Sequence, residues 1–163
     1  MRSRSNAALF WPVLLVTLVL DVVTKAIAER TLMRGIPHEV LGNTLQLKLV
    51  YNPGAAFGLD LGPNSRWIFA VLTVVALLIL GRLYRVTRAG DVARVAALAL
   101  VCAGALGNLV DRVRSVFGVV DFIDVGVGAT RFWVFNVADV GVSLGALLLA
   151  YATWRRREEL AVA

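Results

Sequence analysis

Three aspartates near one hydrophobic run pose the first chemical question. Asp121 and Asp124 lie in "VVDFID", and Asp139 closes "FNVAD" just inside a long apolar stretch. Asp121 and Asp139 are 18 residues apart, enough chain for a loop to fold back and bring them together. Two carboxylates sharing a low-dielectric site cannot both ionise, so one keeps a proton. Such a pair can serve as general base and general acid, the chemistry that activates water against a peptide carbonyl. On spacing alone Asp124 is an equal rival to Asp121, and interfacial caps or solvated acids would give the same letters. Asn136, three before Asp139, would share a helical face with it.

Two further polar groups lie where apolar chain surrounds them. Asp21 and Lys25 are four apart, and on a helix they share a face and can pair. "GNLVDRVR" places Asn108, Asp111 and Arg112 within about one turn, with Asn108 and Arg112 on one face. Either Asp111 and Arg112 snorkel to water at a helix end, or Asn108 and Arg112 hold a substrate backbone. Charged groups inside apolar spans are costly and mark function or a paired contact.

Other chemistries find little support. His38 is the single histidine, so a Ser-His-Asp triad could run only through it. No His/Cys cluster has metal-ligand spacing, and no Gly-rich phosphate loop is present. We therefore expect neither metal nor cofactor. A Ser143–Lys25 dyad competes with Ser143 as a helix-packing hydroxyl. Cys102 is alone in an apolar run and reads as a small packing residue.

The elements that must position these groups are membrane spans. Of 163 residues, 59% are hydrophobic, above the ~45–50% usual for soluble domains. Four apolar runs, at about 7–28, 67–84, 92–110 and 135–154, each approach the ~20 residues that cross a bilayer as a helix. Pro12 falls early in the first, where a missing N–H is tolerated. "MRSRS" and Ala26-Ile27-Ala28 resemble a cleavable signal, but Asp21, Thr24 and Lys25 interrupt it, so a retained span is expected. The length fits one membrane domain.

The net charge of +6 fits membrane topology rather than nucleic-acid binding, because the arginines flank apolar runs without aromatic interleaving. Arg2 and Arg4, then Arg82, Arg85, Arg88 and Arg94, then Arg155, Arg156 and Arg157 fall on one side if all four runs span. That side is cytoplasmic by the positive-inside rule. Both termini are then inside, and the segments at about 29–66 and 111–134 face outward. The alternation from Thr44 to Leu49 predicts a half-buried strand, "NPGAAFG" (52–58) a turn, and "DVGVGATRFW" (124–133) a second turn with short extended flanks. The expected fold is all-α, four transmembrane helices with a small β element on the outer face. Glycines in 53–66 would let that loop move.

Taken in order, Asp21 with Lys25, "YNPGAAFG", "GALGNLVDR", "VVDFID" and "FNVAD" resemble lipoprotein signal peptidases, the signal peptidase II family. The resemblance covers almost the whole chain. It implies a bacterial plasma-membrane aspartic peptidase with four transmembrane helices, cutting prolipoproteins just before a diacylglyceryl-modified cysteine. It implies catalytic roles for Asp121 and Asp139, choosing Asp121 over Asp124. It places Asn52, Asn108, Arg112 and Asn136 in the polar substrate pocket, with Asp21, Lys25, Gly54 and Asp111 supporting them. Implied partners are a lipid-modified prolipoprotein and membrane lipid, without nucleic acid, and we expect a monomer. Against this stand a proton-coupled carrier using Asp139 and Asp21 and a non-catalytic membrane scaffold.

Overall fold

A computed structural model of the chain describes residues 6–54 and 61–162, with the backbone alone from 156 onward. Its described elements are α1 (Ala7–Thr31), β1 (His38–Leu41), β2 (Leu45–Asn52), α2 (Ser65–Arg85), α3 (Val92–Arg114), β3 (Val119–Val127), β4 (Thr130–Arg131) and α4 (Val137–Val162). The helices have 25, 21, 23 and 26 residues. At about 1.5 Å per residue, each is long enough to cross a ~30 Å hydrocarbon layer. All four are also apolar enough to do so. Their outward faces carry large apolar side chains, Trp11, Leu78 and Leu147 among them, a surface that only lipid covers favourably.

Each helix outruns its apolar core. α1 continues to Thr31, α2 begins at Ser65, and α3 carries on through Asp111 and Arg112 to Arg114. Asp111 and Arg112 therefore belong to a helix, not to the outer connection expected from 111. They are 2% and 8% exposed, so they do not snorkel to water. α4 starts at Val137, which leaves Asn136 just before it.

α3 is the central column, packed against α1, α2 and α4. Phe10 and Leu14 meet Val95, Leu98, Ala99, Cys102 and Ala103 in the apolar core. Small residues bring α3 and α4 close, because backbones can approach only where no side chain intervenes. A Cβ on Gly104 would sit 2.2 Å from the Ala138 carbonyl oxygen and 2.7 Å from Val142 Cγ2. Gly104→Val should accordingly destabilise the bundle by about 1–3 kcal/mol, as overpacking does. A lowered thermal midpoint in detergent, with diminished activity because Asp139 adjoins Ala138, is the expected result.

At the far end, Asn6 donates to the Thr87 and Arg88 carbonyls at 3.2 and 3.1 Å and accepts from Gly90 N at 3.2 Å. The start of α1 is thus tied to the α2–α3 connection. The opposite end of the bundle carries an antiparallel sheet of described strands in the order β1-β2-β3-β4. β2 was foreseen as a strand, and the turn with short extended flanks expected at 124–133 is the end of β3, Gly128 and β4. The "VVDFID" stretch, expected as loop, is a nine-residue strand paired along β2, with Val50 opposite Asp121 and Gln46 opposite Asp124. Of the expected turn at 52–58, residues 55–58 lie outside the described residues, as do Arg2 and Arg4.

Candidate active site

Four elements converge at the sheet end. β3 brings Asp121, the N-terminus of α4 brings Asp139, the end of β2 brings Asn52, and the last turns of α3 bring Asn108, Asp111 and Arg112. Gly118 lets β3 begin hard against β2. Its φ is +101°, and a Cβ there would lie 2.1 Å from the Asn52 carbonyl oxygen, an approach and a backbone geometry open to glycine.

Asn136 joins the two acids. Its Nδ2 donates to Asp121 Oδ1 at 2.6 Å. Its backbone N–H donates to Asp139 Oδ2 at 3.1 Å, while its Oδ1 accepts from the Asp139 backbone N–H at 2.9 Å. That reciprocal pair is a capping box, in which the residue before a helix and the third residue within it satisfy each other's free N–H groups. Asn136 and Asp139 therefore meet through a helix cap, and not along a shared helical face as their spacing suggested. The cap holds the Asp139 carboxylate at the mouth of α4.

The remaining oxygens are also held. Asn52 Nδ2 donates to Asp121 Oδ2 at 3.2 Å, and Asn108 Nδ2 donates to Asp139 Oδ1 at 2.9 Å. Asp121 is buried and Asp139 half-buried, so the site opens on the Asp139 side. Burial, and then the Asp139 charge, push the Asp121 carboxyl up to about 7 against the opposing hydrogen bonds from Asn52 and Asn136 and the Lys25 charge.

Behind the asparagines lies a buried ionic core. Lys25 Nζ is 2.8 Å from Asp21 Oδ2, 2.9 Å from Asp111 Oδ2 and 2.9 Å from Asn108 Oδ1. A buried ammonium with three acceptors is satisfied. Asp21 Oδ1 takes the Ala138 backbone N–H at 2.8 Å, and Asp111 Oδ2 takes that of Val120 at 3.2 Å. The neighbours of both acids are pinned by this one cluster. A Cβ on Gly107 would lie 2.3 Å from Asp21 Oδ2, so that position too must stay bare.

Arg112 spans the site's other wall. It donates through Nη1 to the Asn108 carbonyl at 3.2 Å and through Nη2 to the Gly54 carbonyl at 3.0 Å. Gly54 N donates to Asn52 Oδ1 at 3.0 Å. Arg112 Nε is buried without a hydrogen-bond partner among the described residues.

All ten residues singled out from the sequence are thus linked at one end of the bundle. The alternatives fall elsewhere. Asp124 pairs with Arg131 at 2.9 Å. His38 is exposed on β1, and Ser143 is exposed on α4 while the Lys25 ammonium is fully engaged. Sequence reasoning missed Arg114 and Glu29, which extend the ionic core outward: Arg114 pairs with Asp111 and Glu29, each at 2.9 Å. The three-residue step from Asp111 to Arg114 on one helix was the available signal.

Two solved structures, each described as a bacterial membrane enzyme, superpose on this fold. One has a TM-score of 0.87 at 29% identity, covering 98% of this chain and 95% of the other. The second has a TM-score of 0.82 at 30% identity, covering 94% and 97%. Fold and site together define a multi-pass bacterial membrane protein with a buried acid cluster at one end of its helices. The family model for signal peptidase (SPase) II matches residues 13–155. The lipoprotein signal peptidase of Hydrogenovibrio crunogenus is 39% identical over 150 residues, 90% of this chain and 85% of that one. That of Burkholderia thailandensis is 37% identical over 161 residues, 94% of each. The chain belongs to the signal peptidase II family, and is a membrane protease by that membership.

Proposed function

We propose that the protein is an intramembrane aspartic endopeptidase that removes signal peptides from diacylglyceryl-modified prolipoproteins, cutting just before the lipidated cysteine. The observation that carries this reading is Asn136 bridging Asp121 and Asp139, from different elements, at the sheet end of an apolar bundle. Together the pair holds one proton. The ionised carboxylate takes a proton from water as the water oxygen bonds to the scissile carbonyl carbon. The protonated partner hydrogen-bonds the carbonyl oxygen and then supplies the proton for the departing cysteine amine, as the C–N bond breaks. Asp121, the more deeply buried, is the better placed to keep the proton at rest. The two titrate as a unit. Asn52, Asn108 and Arg112 would hold the peptide, Arg112 Nε having no hydrogen-bond partner among the described residues.

The substrate is itself an acylated membrane helix. Its cleavage bond lies at the interface, which is where the sheet end of the bundle would lie with both termini in the cytoplasm and the site at the outer face. Arginines around the α2–α3 connection and Arg155 at the end of the apolar stretch of α4 favour that orientation. The protein acts as a monomer on this reading. The helices are continuous among the described residues, without the broken pairs that serve carriers.

The test is cleavage in vitro of a diacylglyceryl-modified precursor beside its unlipidated twin. Only the lipidated form should be cut efficiently; equal cleavage of both would remove the substrate assignment. The pH profile adds a second check. One proton on the pair is required, so kcat/KM should fall as pH rises through about 7, where Asp121 gives up its proton. A profile flat from pH 6 to 9 would contradict the shared proton.

A further inference from the structure

Asp124 and Arg131 lie outside the acid site, yet their geometry bears on it. β3 turns at Gly128 and returns as β4, with Val127 opposite Thr130 and Gly126 opposite Arg131. The returning strand stays alongside β3. Phe132 N donates to the Val125 carbonyl, and Ile123 and Phe135 exchange backbone hydrogen bonds at 2.8 and 3.0 Å. The next residue is Asn136. The partner of Asp139 therefore reaches Asp121 only if this hairpin keeps its register.

One side chain adds to the backbone bonds that set that register. The Arg131 guanidinium donates through Nε to Asp124 Oδ1 at 2.9 Å and through Nη2 to the Asp124 carbonyl at 3.0 Å. Through Nη1 it reaches the Asn43 carbonyl and, at 3.1 Å, Asn43 Oδ1. Asn43 in turn donates to the Gly128 carbonyl at 2.9 Å and accepts from Gln46 at 3.0 Å. A planar fork with fixed donors thus ties the returning strand, β3 and the β1–β2 turn together. β4 is two residues long, so the ladder proper offers few bonds of its own, and the pairing beyond it rests on the contacts at Phe132 and Phe135.

We propose that Arg131 and Asp124 are positioning residues for the peptidase reaction, helping to set the hairpin register that delivers Asn136, and with it Asp139, to Asp121. This rests on the acid-pair reading above. When the clasp opens, the hairpin loosens, the bond from Asn136 to Asp121 lengthens, and the two acids uncouple. The charged groups that bear on Asp121 from the packed elements are Asp139 on α4, Lys25 on α1 and Arg112 on α3. α1 and α3 do not depend on the hairpin, so the Lys25 and Arg112 contributions stay. Loosening weakens the two largest influences that raise the Asp121 carboxyl, burial and the Asp139 charge, against the smaller opposing loss of the Asn136 hydrogen bond.

The experiment measures kcat, KM and the pH profile for Arg131→Ala and Asp124→Asn in the full-length enzyme, with diacylglyceryl-modified precursor. Asn6→Ala, which opens a clasp at the opposite end of the bundle, is the control for stability alone. Arg131→Ala should lower kcat about tenfold or more, leave KM within about twofold, and move the upper limb of the pH profile downward; Asp124→Asn should do the same more weakly. Asn6→Ala should lower the thermal midpoint without moving the limb. If Arg131→Ala does not accumulate, Arg131→Lys carries the test. It keeps one ionic contact and loses the fork, so a partial loss of kcat with an intermediate limb is expected. Wild-type kcat and pH profile per folded molecule in either Arg131 variant would overturn the inference. Asp121→Asn in the same assay separates the two readings: if it stays active the acid pair itself is wrong, whereas if it is dead and the Arg131 variants are normal only the clasp is wrong.

Discussion

Asp121→Asn and Asp139→Asn should each lower cleavage of a lipid-modified precursor by about 10²–10⁴-fold, the usual worth of a positioned acid or base. An amide can neither take a proton from water nor give one to the leaving amine. It does match the carboxylate in shape, so the fold should survive. At position 139 the amide oxygen can still accept the Asn136 N–H that closes the helix cap. At position 121 one oxygen remains for the short bond from Asn136. Thermal midpoints within a few degrees of wild type are therefore expected. The double variant should be little worse than either single one, because two residues acting on one proton fail together. Kinetics on folded protein in detergent make the measurement. Either single variant working at near wild-type rate would remove the acid pair from the mechanism.

The largest effect on stability should come from Lys25→Met. The side chain is 1% exposed and its ammonium lies between Asp21 and Asp111, themselves 0% and 2% exposed. Methionine fills similar space but leaves two buried carboxylates facing each other. Breaking a buried ion pair from one side costs about 3–5 kcal/mol. Part of that loss should return in Lys25→Met/Asp111→Asn, which removes one of the stranded charges. Denaturation of the two variants side by side checks this. If Lys25→Met alone unfolds like wild type, the ionic core does not hold the helices.

The helices were legible because hydrocarbon imposes one rule, about twenty apolar residues in a row. Their ends were not, since Asp111, Arg112 and Arg114 read as polar exits but stay helical once each finds a partner across the bundle. β2 announced itself through alternation. β3 did not, because Val119, Val120 and Phe122 are buried on both faces and Asp121 and Asp124 are buried with them, which erases a two-residue period. The members of the site were readable as polar letters in apolar surroundings. Choosing Asp121 over Asp124 needed the order of motifs, and its structural counterpart is Arg131, seven residues on, claiming Asp124 for itself. Asn136, an N-cap residue three before an acid at the head of an apolar run, was the local sign of a helix cap, which the equal i, i+3 spacing of a shared helical face concealed.

The pairing within α1 also bears on how the chain is made. Asp21 and Lys25 sit one turn apart on a single helix, so α1 brings its own counter-ion into the bilayer, instead of stranding a bare cation there. Asp111 arrives with α3, and the Ala138 amide that Asp21 receives comes with α4. α1 thus keeps a berth ready for α4, and the acid cluster is complete only once α4 has been made.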